Sequence, residues 1–269
     1  MEWSFAGVGP VQADVEVPAG EVELKPVEDN QVVVSLEPWG RSDQKAEEVI
    51  AASEVSFDAG RLRVRVPQRP FRSTEIRCTI VLPTRSSVRA KTASADVEAH
   101  GTLGDFTVVV ASGDVSLERI EGELSFTSAS GDLSCEVVTG RLKAKGASSD
   151  VSVTAVGGPV DVTLASGDVS IGDAATSVKV ATASGDFALG CAHEGEVRIK
   201  SASGDITVGV APGVGAYLDV MSISGEMSCE LPVEGSGQGS AQLSISCQTM
   251  SGDVRIRSAA VGAGSLGHD

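Results

Sequence analysis

The residues best spaced for chemistry are aspartates. Asp96, Asp114, Asp132, Asp150, Asp168 and Asp186 follow one another at intervals of 18 residues, most of them in the tripeptide Ser-Gly-Asp. The series drifts on through Asp205, Glu226 (as Ser-Gly-Glu) and Asp253. If equivalent positions stack, the carboxylates form a column about 4.8 Å apart, the spacing of neighbouring strands. Two bare charges at that distance repel by about 0.9 kcal/mol in water. Two kinds of chemistry can offset this. Hard cations bind carboxylate and carbonyl oxygens, which makes Asp114, Asp132, Asp150, Asp168 and Asp186 weak calcium (Ca2+) candidates. Alternatively, an aspartate beside a glycine accepts backbone N–H bonds and serves the corner itself. Calcium takes roughly six to eight oxygen ligands, and the column offers one acid per period. The corner reading is therefore preferred, and no cofactor is expected beyond the weak calcium candidacy.

Other catalytic groups are sparse. The histidines are His100, His193 and His268, and no His/Cys spacing suits a metal. No phosphate loop or nucleophile elbow is present. A serine nucleophile needs a base within reach. His193, next to Glu194, is the one candidate base and reads as an exposed turn residue lacking a third, orienting group. Lys143, Lys145, Lys179, Arg198 and Lys200 are scattered, and Tyr217 with two tryptophans offers little sugar stacking. No enzyme activity is expected, and no catalytic residue is assigned.

The elements that would hold the column follow from the period. In residues 110–127, Val115, Leu117, Ile120, Leu124 and Phe126 alternate with Asp114, Ser116, Glu118, Glu123 and Ser125. Alternation over short runs means half-buried strands. Gly113 and Gly122 fall half a period apart, and glycine at a tight corner supplies positive φ at no steric cost. Each half-period is one strand plus one corner. Constant spacing stacks each residue on its equivalent, so neighbouring coils pair in parallel. The expected fold is all-β: a single-domain parallel β-solenoid (β-helix-like) with 18-residue coils and a narrow apolar core.

Composition agrees. The chain has 269 residues, 31 of them glycine, with 3% aromatic residues, which suits a core of small β-branched layers. No run approaches the roughly 18 apolar residues that a membrane span needs. The N-terminus lacks the basic and apolar regions of a secretory signal, so a cytoplasmic location is expected. Five cysteines show no motif spacing. Cys78, Cys135, Cys229 and Cys247 fit inward slots as reduced, buried thiols, and Cys191 is harder to place.

Residues 1–87 read as irregular β coils that cap the repeat, with one short helix near 42–52 opened by Ser42 or Asp43. Residues 88–257 form the solenoid, regular to about 210 and looser beyond, and 258–269 form a flexible tail.

The net charge of −16 hides an asymmetry. Residues 61–91 carry Arg61, Arg63, Arg65, Arg69, Arg72, Arg77, Arg85, Arg89 and Lys91 against Glu75 alone, a balance of +8 that leaves −24 elsewhere. Two readings stand: a solvated basic face near acidic neighbours, or an interaction patch for an anionic partner such as the acidic flank of another copy. Nucleic acid is not expected, because an acidic chain repels phosphate and the patch lacks interleaved aromatics.

The coils Ser112-Gly113-Asp114-Val115, Ser130-Gly131-Asp132-Leu133, Ser166-Gly167-Asp168-Val169, Ser184-Gly185-Asp186-Phe187 and Ser203-Gly204-Asp205-Ile206 carry a resemblance. With the N-terminal β region, they make nearly the whole chain similar to a bacterial β-solenoid family labelled "putative adhesin", a domain of unknown function. The resemblance implies a fold and no catalytic residues. The expected function is a non-catalytic structural or interaction scaffold that binds a protein partner or itself through its outer faces and ends. The alternatives are a secreted or surface adhesin that binds glycan or protein, and a carbohydrate-active β-helix enzyme.

Overall fold

The computed structural model describes residues 1–6, 9–40, 44–68, 74–231 and 242–259. The chain forms two compact units, Met1–Thr139 and Gly140–Asp269. The division falls inside the regular repeat.

In the first unit, β2 (Gln12–Val27) and β7 (Ser87–Leu103) each turn a corner and contribute to both faces of a coil. On one face, β5 (Arg61–Arg65), β2, β7, β8 (Phe106–Val110) and β10 (Leu124–Ser128) pair in parallel. On the other, the parallel order is β6 (Ile76–Pro83), β2, β7, β9 (Val115–Ile120) and β11 (Leu133–Val138). The expected parallel stacking is present, and register advances by 18 residues, as in Leu124 on Phe106 and Leu133 on Val115.

The first coils are irregular and capped, as the sequence suggests. On one face, β4 (Glu54–Asp58) closes β5 antiparallel. On the other, β3 (Gln31–Pro38) pairs antiparallel with β6, and β1 (Glu2–Ala6) with β3. Phe5 on β1 and Phe57 on β4 meet at a ring-centroid distance of 5.4 Å, which bridges the two faces beneath the last paired rung. The helix α1 spans Gln44–Ala51 and buries Ala46, Val49 and Ile50. Its expected capping residues, Ser42 and Asp43, lie outside the described residues, as do Arg69, Arg72 and most of the predicted tail.

The second unit holds regular coils. One face runs β12 (Leu142–Ser148), β14 (Val160–Ser166), β16 (Val178–Ser184) and β18 (Gly195–Ser203). The other runs β13 (Val151–Val156), β15 (Val169–Ala174), β17 (Phe187–Ala192) and β19 (Ile206–Val210).

The stack then departs from chain order. The next coil in sequence is β20 (Ala216–Ser224) and β21 (Met227–Cys229), and the last is β22 (Leu243–Ser251) and β23 (Val254–Ser258). Yet β18 pairs with β22, and β22 with β20. Likewise β19 pairs with β23, and β23 with β21. The final coil in sequence is inserted beneath its predecessor, and residues 216–229 form the outermost rung. Continuous winding in chain order, expected from the repeat, fails at this point. The longer connections after Val210 free the chain from winding to its immediate neighbour. The final coil also offers a better inner layer: Leu243, Ile245, Cys247, Val254 and Ile256 are all buried.

The core is a narrow column of aliphatic layers with occasional rings. Phe106, Phe126 and Phe187 are fully buried. Val115, Leu117, Ile120 and Leu124, which the alternation places inward, are all buried too. Among the described residues no helix is long and apolar enough to cross a membrane.

Candidate functional site

The aspartate column is built from the backbone outward. The Asp114 N–H donates to Asp96 Oδ1 at 2.9 Å, and the Asp132 N–H to Asp114 Oδ1 at 3.0 Å. In the second unit, Asp168 donates to Asp150 and Asp186 to Asp168, both at 2.8 Å. Each corner is closed a second time in the opposite sense. The Val115 N–H donates to the Asp132 carbonyl at 2.8 Å, and the Val169 N–H to the Asp186 carbonyl at 2.9 Å. Asp114 and Asp168 thus each clasp the coil above by accepting its N–H, while their own carbonyls accept the Val97 and Val151 N–H groups of the coil below. A second corner uses the same device, with Glu123 N–H on Asp105 Oδ1 at 2.9 Å. Asp96, Asp114, Asp150 and Asp168 each spend one carboxylate oxygen on a backbone donor, which is corner chemistry, and a charge-assisted N–H bond offsets part of the like-charge repulsion.

The glycines beside these aspartates have a reason beyond the expected one. Gly167 has φ +124°, the region that favours glycine, and a Cβ there would also run into the Ser149 carbonyl. Gly131 is not among the positive-φ residues, yet a Cβ would collide with the Gly113 carbonyl. Close approach of stacked backbones is the constraint shared along the column, and positive φ belongs to only part of it.

The arginine run does not make one patch. Arg61, Arg63 and Arg65 share the outer side of β5. There they stand opposite Asp58, Ser56 and Glu54 on β4, and opposite Gln12, Asp14 and Glu16 on β2. Arg65 Nε lies 3.7 Å from Glu16. Arg89 and Lys91 of β7 flank the same β2 acids. A shallow groove of about 730 Å³ on this face is lined by both Arg61, Arg63, Arg89 and Asp14, Asp58, Asp105. Arg77 belongs to the opposite face, where it pairs with Glu21 at 2.7 Å and lies 4.0 Å over the Trp39 ring. Arg85 turns a corner at φ +62° and pairs with Glu121 at 2.8 Å. The linear excess of +8 is thus interleaved with acids in space, which favours the solvated-face reading of the run.

Two groupings bring together residues that the sequence-based reading did not connect. Asp173 and Cys191 are register partners on β15 and β17. His193 follows β17 and brings its Nε2 to 3.0 Å from Asp173 Oδ2 and 3.5 Å from Cys191 Sγ. His193 is thus an exposed turn residue, as expected, but it has partners that the spacing did not reveal. Burial, and then the Asp173 charge, raise the Cys191 thiol above its ordinary range. Cys78, Cys135 and Cys247 are buried as expected, and burial pushes each to about 12. Cys229 departs from expectation: it faces inward opposite Ile256 but is exposed. Its rung is the outermost, so nothing among the described residues covers it.

That rung is the second grouping. Tyr217, Met221 and Ile223 point outward from β20 and are 64%, 60% and 75% exposed. Met250 of β22 and Met227 of β21 are also exposed. Leu218 and Val220 point into the core layer but are only half-buried. Among the described residues β20 pairs only with β22, and β21 only with β23. A strand edge with no partner among the described residues and exposed apolar side chains coincide here.

Fold and corners together define a parallel β-solenoid whose stacked corners are held by an aspartate clasp. Within that class the chain belongs to the Toastrack DUF4097 family, whose profile matches residues 14–257. No curated protein matches the chain by sequence. Solved structures are similar to the chain at low identity. They include a "putative lipid binding protein" of Parabacteroides distasonis at 15% identity and TM-score 0.45, over 94% of this chain and 96% of that one. Similar too is a "putative adhesin" of Bacteroides fragilis at 13% identity and TM-score 0.40, over 95% and 96%. Another "putative adhesin", from Parabacteroides merdae, has 11% identity and TM-score 0.39 over 95% of each chain.

Proposed function

We propose that this protein is a non-catalytic interaction scaffold whose binding surface is the outermost rung, β20 and β21, and whose partner there is a second copy of the chain. The observation that carries this is the coincidence, among the described residues, of an unpaired strand edge and exposed apolar side chains at residues 216–229. Soluble proteins rarely leave such an edge bare, because it is a template for another strand. Contiguous exposed apolar surface marks an interaction site.

The occupant must supply two strands at once, one over β20 and one over β21, separated by the width of the core. An extended peptide supplies one strand. The same rung of a second copy supplies both, and a twofold apposition pairs each edge antiparallel with its mate. It would also cover Leu218, Val220 and Met227, the inward residues that the last layer leaves open. Asp219, Glu226 and Glu230 surround the rung, so like charges oppose the contact and added salt should strengthen it.

Sedimentation over a range of concentration and salt tests this. A monomer–dimer equilibrium is expected that shifts toward dimer with salt, and toward monomer on Ile223→Lys or Val220→Lys. A monomer at every concentration and ionic strength overturns self-association and leaves a foreign protein or glycan as the occupant.

A further inference from the structure

We propose that Asp173, Cys191 and His193 form a binding site for a divalent transition-metal ion, zinc being the best fit. The three ligand atoms, one carboxylate oxygen, one thiol sulfur and one imidazole nitrogen, all lie within 4.8 Å of one another. Oxygen, sulfur and nitrogen together form a donor set that zinc accepts in tetrahedral geometry. With zinc–ligand distances of about 2.0 to 2.3 Å, tetrahedral angles put sulfur and nitrogen roughly 3.6 Å apart, and nitrogen and oxygen roughly 3.3 Å apart. The corresponding separations are 3.5 Å and 3.0 Å. Three ligands with two of them half-buried and His193 exposed leave a fourth position facing solvent.

The decisive feature is which nitrogen is used. Asp173 and Cys191 both approach His193 Nε2. A nucleophile–base–acid relay needs the acid on one ring nitrogen and the thiol on the other. One N–H at Nε2 can point at only one of two neighbours. A cation placed among the three satisfies all of them through one point, so this arrangement suits a metal and not a thiol catalyst.

The fold builds the site from the repeat. Each coil bends between two inward residues, Ile171 and Ala174 in one and Leu189 and Ala192 in the next, and the residues between turn outward. Asp173 and Cys191 occupy this outward position one above the other. The register shift between Leu189 and Ala192, where β17 meets β19, marks the same bend. The His193 N–H is held by the Ala174 carbonyl at 3.3 Å, which fixes the residue beside the pair.

The test uses Co2+ as a spectroscopic stand-in for zinc, added to the purified full chain. One Co2+ per chain is expected, with a thiolate-to-cobalt charge-transfer band and tetrahedral visible bands, all displaced by Zn2+. Cys191→Ser should remove the charge-transfer band. His193→Ala and Asp173→Asn should weaken binding by at least the roughly 10- to 100-fold that loss of an outer-shell partner costs. Cys229→Ser, altering the exposed thiol, should change neither band nor stoichiometry. Circular dichroism of each variant reports folding, and the half-exposed ligands should leave it unchanged. Absence of a charge-transfer band at millimolar Co2+, or a band that survives Cys191→Ser, overturns the site.

Discussion

Strand β5 of the first coils and strand β20 of the outermost rung share a pattern of alternating inward and outward residues, and they solve the same edge problem differently. β5 carries Arg61, Arg63 and Arg65 outward and is closed by β4. Beneath it, Phe5 and Phe57 meet across the core, and α1 buries an apolar face nearby in the same unit. β20 carries Tyr217, Met221 and Ile223 outward and has no strand on its far side among the described residues. The first region spends some 80 residues on covering itself with antiparallel strands, a helix and charge. The second keeps coil geometry to its last rung, whose inner layer no described residue covers. A solenoid needs a cap wherever stacking stops. Among the described residues nothing caps the outermost rung, and it is there that the proposed self-association would supply the cover.

Substitutions at matched positions of covered and open layers can break this comparison. Phe187, Ile206, Val254 and Met227 occupy one slot in successive layers of the stack. Phe187→Ala, in a covered layer, should cost about 3–5 kcal/mol in urea unfolding. Met227→Ala, in the open layer, should cost under about 0.5 kcal/mol in dilute protein. Equal costs would mean that the outermost layer is covered after all.

Gly167→Ala comes next. It forces a side chain onto a +124° backbone and into the Ser149 carbonyl, and should cost about 1–3 kcal/mol. The same change at Gly60, where φ is +76° but nothing lies within 4 Å of a Cβ, should cost less, because strain is present there without collision. A larger loss at Gly60 would refute close approach as the main constraint.

The clasp makes a smaller but sharper contrast. Asp168→Ala removes the acceptor for the Asp186 N–H and should cost about 1 kcal/mol. Glu226 donates its own N–H to Asp253 Oδ1 at 2.8 Å, but it lies in the outermost rung. Glu226→Ala should therefore change stability by less than about 0.5 kcal/mol. Thermal unfolding of the two variants side by side checks this.

The smallest effect concerns reactivity alone. Cys135 and Cys229 both lie three residues after a corner acid. Cys135 is buried with its thiol pushed up to about 12, and Cys229 is exposed. A colorimetric thiol reagent should modify Cys229 first, and Cys78, Cys135 and Cys247 only on unfolding. Reaction of all five at one rate would contradict the layer assignment.

The comparison also shows where the sequence is legible. The 18-residue period and its alternation place inward residues, corners and parallel stacking, because each rests on neighbours at fixed spacing. The Arg61–Lys91 run misleads as a linear signal, because the acids that interleave it come from β2 and β4, as far off in sequence as Asp14 is from Arg89 and Glu16 from Lys91. Asp173 and Cys191 were legible in principle as an 18-residue pair. His193 was not, since its ring reaches back across a bend that spacing does not describe.

By itself, the sequence determined that this chain winds, how long a coil is, and that glycine and aspartate make its corners. Those features are local and repeat, so every copy carries the same instruction. Only the tertiary structure decided that Asp205 clasps Asp253 and Asp253 clasps Glu226. That order makes the penultimate coil the outermost one. It follows from competition between two coils for the rung above β18 and β19, and the more apolar inner layer prevails. Glu226 marks the result: in the rung that has no coil above it among the described residues, the corner aspartate is replaced.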